Sequence, residues 1–163
     1  MSGRLILMVG CPGSGKSTWI RNNYPNVIPV SRDEIRFELL DERGGNYFDY
    51  ENEVFTSFIH QIIGSLVVDE VTIADATHLN KKARQKVLNQ VAKYVKEIEI
   101  VYFKVPLEVA QERNAQRAGR AFVPPEALEK MYHALEEPKW HEGIYTYSKI
   151  YIIDENGKVE VKE

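Results

Sequence analysis

The sequence predicts an α/β fold: a mainly parallel five-stranded sheet with helices on both faces and a small arginine-bearing helical lid over about residues 106–125. Short apolar runs alternate along the chain with segments of helical periodicity, the pattern of right-handed strand–helix–strand crossovers. A glycine-rich loop of fixed spacing joins the first run to the first helix. No Pro/Gly/Ser-rich linker, repeat or low-complexity stretch interrupts a chain of 163 residues that is 44% hydrophobic, so residues 1–163 read as one domain with its own core.

Each element has its own reason. Residues 4–9 (Arg-Leu-Ile-Leu-Met-Val) suit a strand buried on both faces, and a helix begins over Thr18 to Asn23. Residues 26–30 (Asn-Val-Ile-Pro-Val) read as a short strand, with Pro29 pointing to an edge or a strand end. Ser31 is a natural N-cap for the next helix, whose first turn carries Asp33 and Glu34 where they complement the helix dipole. Residues 41–50 contain the breaker Gly44-Gly45-Asn46 and read as a loop, a candidate to touch an acceptor substrate. From Glu51 to Val67 the apolar residues Val54, Phe55, Phe58, Ile59, Ile62, Ile63 and Leu66 recur at helical spacing, which predicts a structural amphipathic helix.

Residues 70–75 predict a second buried strand ending on Asp75, and residues 81–96 a helix with Ala83, Val87, Leu88, Val91 and Val95 on its apolar face. A strand over 97–104 follows, and Pro106 opens a helix to about Ala118 as an N1 proline. Gly119 breaks that helix, and Val123-Pro124-Pro125 starts another to about Ala134. Residues 149–153 form the last core strand, and 158–161 extend a hairpin past the turn at Asp154 to Gly157.

The loop at Gly10-Cys11-Pro12-Gly13-Ser14-Gly15-Lys16-Ser17-Thr18 fits G-x-x-x-x-G-K-[ST], in the strand–loop–helix context that a phosphate-binding loop requires. Its glycines let backbone N–H groups turn inward around an anion, and the following helix N-terminus adds partial positive charge. Lys16 is placed to reach the β- and γ-phosphates of a triphosphate such as ATP, and the Ser17 hydroxyl to ligate Mg²⁺. Cys11 sits inside this loop, where its thiol is either more acidic than usual or a small buried filler.

Asp33 and Asp75 both fall at the carboxyl end of a predicted strand, the side on which open α/β sheets bind ligands. Arg113 and Arg117, four residues apart, read as one helical face able to reach a common anion, or as a solvated face paired with Glu108 and Glu112; the density of basic residues over 113–120 favours the anion.

Composition narrows the function classes. A single cysteine excludes an internal disulfide framework and a cysteine-rich zinc site, and His60, His78, His133 and His141 lack metal-ligand spacing. A net charge of −3, from 24 acidic and 21 basic residues, argues against a protein that coats long tracts of nucleic acid. Without a membrane-length apolar run or a signal-peptide pattern at the N-terminus, the reading is a cytoplasmic protein with no membrane partner.

Taken together, residues 10–19 of the loop, Ser31-Arg32-Asp33-Glu34-Ile35-Arg36, Asp75-Ala76-Thr77-His78-Leu79-Asn80, Arg113-Asn114-Ala115-Gln116-Arg117 and Val123-Pro124 resemble the 5′-hydroxyl polynucleotide kinase family, in its phage-type kinase domain, within the P-loop kinase superfamily. The resemblance runs over nearly the whole chain in the same order. It implies that Lys16 and Ser17 handle the phosphates and Mg²⁺ of an NTP donor, and that Asp33 is the general base on the acceptor 5′-hydroxyl. It further implies that Arg36 holds phosphate near the transferred group, that Arg117 stabilises the transferring phosphoryl, and that Arg113 lines the donor site. Asp75 and Thr77 match acceptor-side residues, although Ala76 separates them here where the phage pattern has them adjacent. The implied partner is a 5′-hydroxyl nucleic acid end held over a short contact, with separate phosphatase or ligase partners admitted.

Two other readings of the same residues stand beside this one. The first is a P-loop kinase of a small molecule such as a nucleoside or antibiotic-like alcohol. The second is a nucleotide-dependent switch or toxin-like binder, which the candidate base at Asp33 disfavours.

Overall fold

The computed structural model describes residues 3–163; Met1 and Ser2 lie outside the described residues. Its centre is β1 (Arg4–Val9), a run apolar on both faces that pairs in parallel with β3 (Val71–Asp75) on one side and β4 (Glu97–Phe103) on the other. β2 (Val30–Ser31) pairs in parallel with β3, and β7 (Lys149–Ile153) in parallel with β4. An antiparallel strand, β8 (Val159–Val161), closes the order β2-β3-β1-β4-β7-β8. The predicted five parallel strands are therefore present, and the hairpin predicted at 158–161 adds the sixth.

Two-residue periodicity sorts the core. Leu5, Leu7 and Val9 of β1, with Ile98, Ile100 and Tyr102 of β4, face one layer, where they meet Val54, Phe58, Ile59, Ile62 and Leu66 of α3 (Glu51–Val68) and Val87, Leu88 and Val91 of α4 (Lys81–Val91). Ile6 and Met8, with Val101 and Phe103, face the other, against Ile20 of α1 (Lys16–Asn23) and Val109 of α5 (Leu107–Ala115). A parallel strand covered by helices on both faces has no polar side, which is why these runs carry almost no solvent-facing residues. Each such side chain contributes about 1.5–3 kcal/mol of gross hydrophobic stabilisation.

The departures from expectation lie at element ends. Of residues 26–30 only Val30 joins the sheet: Pro29 has no N–H for the ladder, and Ile28 is left 89% exposed. α2 (Arg32–Arg43) starts as predicted, with Ser31 Oγ accepting from the Glu34 N–H at 3.2 Å, but runs three residues into the expected loop. The helix expected over 81–96 ends at Val91 and tightens into a 3₁₀ turn at Ala92–Tyr94 before β4. Pro106 is the N-cap of α5 rather than its first turn, and α5 stops at Ala115, three residues short. α6 (Pro125–Ala134) has its proline at the first helical position. A short antiparallel hairpin of β5 (His141–Glu142) and β6 (Tyr145–Thr146) was not anticipated.

That hairpin exists to complete a buried ion pair. Arg84 of α4 is fully buried and meets the Glu142 carboxylate with two bonds of 2.8 Å, Nε to Oε1 and Nη2 to Oε2, while the Tyr147 hydroxyl donates to Oε1. The remaining guanidinium donors reach the carbonyls of His78 at 2.8 Å and Glu136 at 3.1 Å. Removing one partner of such a pair strands the other charge. Arg84→Met should therefore cost about 3–5 kcal/mol in urea unfolding, and Arg84→Met combined with Glu142→Leu should recover much of it. A single-variant loss below about 1 kcal/mol would show that this pair does not hold the region together.

Candidate active site

The phosphate-binding loop leaves β1 at its carboxyl end, between the ends of β3 and β4. Backbone constraints shape it. Gly13 and Gly15 take φ of 80° and 102°, and a Cβ on Gly13 would come within 2.9 Å of the Ala110 carbonyl. At Gly10 a Cβ would sit 2.7 Å from Ser14 Oγ and 3.0 Å from Phe103 Cβ. The Gly10 N–H donates to the Thr77 carbonyl at 3.0 Å, which ties the loop to the end of β3. Lys16 Nζ donates back to the carbonyls of Gly10 at 2.8 Å and Cys11 at 3.0 Å, so the loop is already curled. Ser14 Oγ is buried with no partner among the described residues. These features fit a bound phosphate chain. Ser17, at the exposed start of α1, makes no hydrogen bond among the described residues and could ligate a cation.

Opposite the loop, the pairing of Ser31 with Asp75 in β2 and β3 sets the first turn of α2 beside the β3 terminus. Asp33 and Asp75 thus face Lys16 together. Burial pulls the Lys16 ammonium below its ordinary pKa, opposed by the nearby Asp75 and, more weakly, Asp33, while Arg117 adds to the lowering. Burial raises the Asp75 carboxyl, Lys16 works against that rise, and the charge of Asp33 reinforces it. All four predicted residues consequently share one electrostatic neighbourhood.

Asp33 is held in place while part of it stays free. Its side chain is 62% exposed, and its Oδ1 accepts from Arg36 Nη1 and from the Tyr47 hydroxyl at 2.9 Å. Oδ2 has no partner among the described residues. Burial, then the charge of Asp33, pushes the Tyr47 phenol up to about 12, which keeps it a donor. Arg36 is buried and donates to both carboxylate oxygens of Glu51, at 2.8 and 2.7 Å, and to the Tyr47 hydroxyl at 2.8 Å. Burial opposes ionisation of Glu51, yet the Arg36 hydrogen bonds hold its carboxyl below the usual range.

Arg36, expected to hold phosphate near the transferred group, directs its donors at Glu51, Asp33 and Tyr47. Tyr47 and Glu51 had no assigned role in the sequence. The only signal was the placement of Tyr47 in a loop expected near the acceptor.

On the donor side, Arg113 rests against the loop, with Nη1 3.4 Å from the Gly13 carbonyl and Nη2 donating to the Glu155 carbonyl at 2.6 Å. Arg117 lies beyond the end of α5 and donates to the Ala121 carbonyl at 3.1 Å. The two arginines do not share a helical face, because α5 terminates before Arg117; the helix-face expectation is corrected on that ground. Asn114 clamps the lid to Val123 through both amide atoms, at 2.6 and 2.9 Å. Cys11 is buried against Ala110 and Leu128, and burial raises its thiol pKa, with Lys16 only partly opposing. It is the small filler, not an acidic thiol, because its side chain faces the core rather than the inward N–H groups.

The turn after β3 rests on His78. Its φ of 44° makes it the one non-glycine residue with positive φ among those described, and its buried ring meets the Met8 carbonyl at 2.7 Å. Thr77 contributes its carbonyl to the loop contact already described, which gives it a backbone role. Burial lowers the His78 pKa to about 4, so the ring is neutral near pH 7 and donates from Nδ1.

The family model described as an AAA domain, AAA_33, matches residues 5–138. The structure is similar to Chaetomium thermophilum Kti12 in complex with ADP-AlF3, with a TM-score of 0.67 and 17% identity over 92% of this chain and 88% of that one. A sugar kinase from Janibacter sp. HTCC2649 aligns with a TM-score of 0.61 and 15% identity over 94% of this chain and 86% of that one. A chain of the Pnkp1/Rnl/Hen1 RNA repair complex aligns with a TM-score of 0.65 and 26% identity, over 81% of this chain but 43% of that one. Among the described residues no helix is long and apolar enough to cross a membrane.

His78 provides a test of the turn. A histidine with a folded pKa below its unfolded value is protonated first in the unfolded chain, so stability falls as pH drops from about 6.5 towards 4. At pH 5 the loss relative to pH 7 should be about 2 kcal/mol in urea unfolding. His78→Asn, which tolerates positive φ, should lose that component of the slope. An unchanged slope would assign the acid sensitivity elsewhere.

With a phosphate-binding loop at the end of β1, a mainly parallel sheet and a match over residues 5–138, the chain belongs to the AAA domain family, AAA_33, and has the α/β fold of the P-loop kinases.

Proposed function

We propose that the protein is an ATP-dependent polynucleotide 5′-hydroxyl kinase, which transfers the γ-phosphate of an NTP to the 5′-OH end of DNA or RNA. The observation that carries this reading is the Asp33 carboxylate: Oδ1 is anchored by Arg36 and Tyr47, Oδ2 has no partner among the described residues, and the side chain is 62% exposed at the edge of the sheet near Asp75. A general base needs one fixed lone pair directed at the acceptor hydroxyl, and that is what two donors on the other oxygen provide. The 26% identity to a chain of an RNA repair complex supports a nucleic acid acceptor, as do the motifs spanning residues 10–124.

Phosphoryl transfer needs positioning and charge neutralisation more than covalent chemistry. The backbone N–H groups of the loop and Lys16 hold the donor phosphates, and Ser17 would hold Mg²⁺, which when bound would supply charge neutralisation to the phosphates. Asp33 accepts the proton of the attacking hydroxyl, Asp75 orients the acceptor end, and Arg117 swings from Ala121 to the transferring group. Arg113 braces the loop from the lid. The protein acts in the cytoplasm on free ends, alongside phosphatase or ligase activities on other chains.

The test is transfer from γ-labelled ATP to 5′-hydroxyl DNA and RNA oligonucleotides and to a panel of nucleosides. Label on oligonucleotides is expected; label confined to nucleosides would make this a small-molecule kinase instead. Asp33→Ala should lower turnover by about 10² to 10⁴-fold and Arg117→Ala by about 10³ to 10⁵-fold, with the fold retained by circular dichroism. An Asp33→Ala protein that keeps a tenth of the wild-type rate would move the base to Asp75.

A further inference from the structure

Beside Asp33 the molecule exposes an aromatic group that the phosphoryl-transfer machinery does not use. Phe48 is 68% exposed, and its ring lies edge-on to Tyr47 with centroids 4.6 Å apart. Phe37 of α2 supports Tyr47 from another side at 6.3 Å. The other rings already have cations over them: the Arg36 guanidinium is 4.4 Å from the Tyr47 centroid, and that of Arg120, from the lid, is 5.3 Å from the Phe37 centroid. Phe48 has neither a cation over it nor burial.

Singly exposed apolar residues are ordinary, but this ring is the open member of a three-ring cluster joined to the candidate base by the 2.9 Å bond from the Tyr47 hydroxyl to Asp33. Tyr47 thus stands between an open aromatic ring and the anchored oxygen, Oδ1, of the Asp33 carboxylate. Arg120, paired with Asp41 across the same rim, adds a cation from the lid.

Resting on the polynucleotide kinase reading, we infer that Phe48 is the stacking platform for the base of the acceptor's 5′-terminal nucleoside. Tyr47 buttresses it. A flat aromatic face stacks with any nucleobase and reads none of their edges, so the subsite favours nucleic acid ends over sugars and other base-less alcohols without imposing sequence preference.

The experiment compares wild type, Phe48→Ala and Phe48→Trp on two 5′-hydroxyl oligonucleotides, one intact and one with an abasic terminal residue. Phe48→Ala should raise the acceptor KM about 5- to 150-fold, and Phe48→Trp should restore it. For wild type, removal of the terminal base should raise KM by a similar factor, whereas Phe48→Ala should be indifferent to the missing base, since both changes delete one contact. Wild-type protein that phosphorylates both oligonucleotides with equal KM, or additive effects of the two deletions, overturns the platform and leaves the kinase reading standing. Wild-type protein that phosphorylates no 5′-hydroxyl oligonucleotide overturns that reading, and the platform with it.

Discussion

A guanidinium cannot stay charged in an apolar interior unless its donors are met, and Arg84 satisfies this demand by drawing distant segments together. Its partners are Glu142 on the short hairpin, the Glu136 carbonyl after α6 and the His78 carbonyl in the turn after β3. That turn is the same one whose Thr77 carbonyl receives the Gly10 N–H. One buried charge thus fixes the floor on which the phosphate-binding loop rests. The Leu79 carbonyl adds a further tie by accepting from the Glu136 N–H at 2.8 Å.

The site itself is built as two halves with different chemistry. The half at the loop is mostly backbone: glycines at positive φ and a lysine curled onto its own carbonyls, an arrangement that suits an anion. The acceptor half is a side-chain network in which the charges of Arg32, Arg36, Asp33 and Glu51 balance, so that a half-buried cluster avoids a net charge. Arg36 is central to it. Held by Glu51 and Tyr47, it in turn donates to Asp33 and restricts that carboxylate's rotamer.

Much of the fold was legible in the sequence, because fully apolar runs and their breakers are local signals. β1, α3, β3 and β7 fall within a residue or so of their predicted limits, and Ser31 caps α2 through the bond to Glu34. The misses lie at element ends: the strand at 26–30 shrinks to Val30 beyond Pro29, which has no N–H for the ladder, and the helix from Leu107 ends at Ala115, after Arg113 but before Arg117. The β5–β6 hairpin had no signal at all, since its strands are two residues each and it is held by the buried Glu142.

The sequence by itself determined that a phosphate-binding loop stands between a buried strand and a helix, and that carboxylates follow at the ends of two further strands. Spacing is enough for that, because those residues are neighbours along the chain or sit at strand ends. Only the tertiary structure decided that Arg36 bonds to Asp33, that Tyr47 and Glu51 join the same network, that Arg117 lies past its helix, and that Cys11 faces the core. These depend on how side chains on one helix, the loop after it and the next helix turn toward each other, and no periodicity along the chain encodes which donor a carboxylate will find.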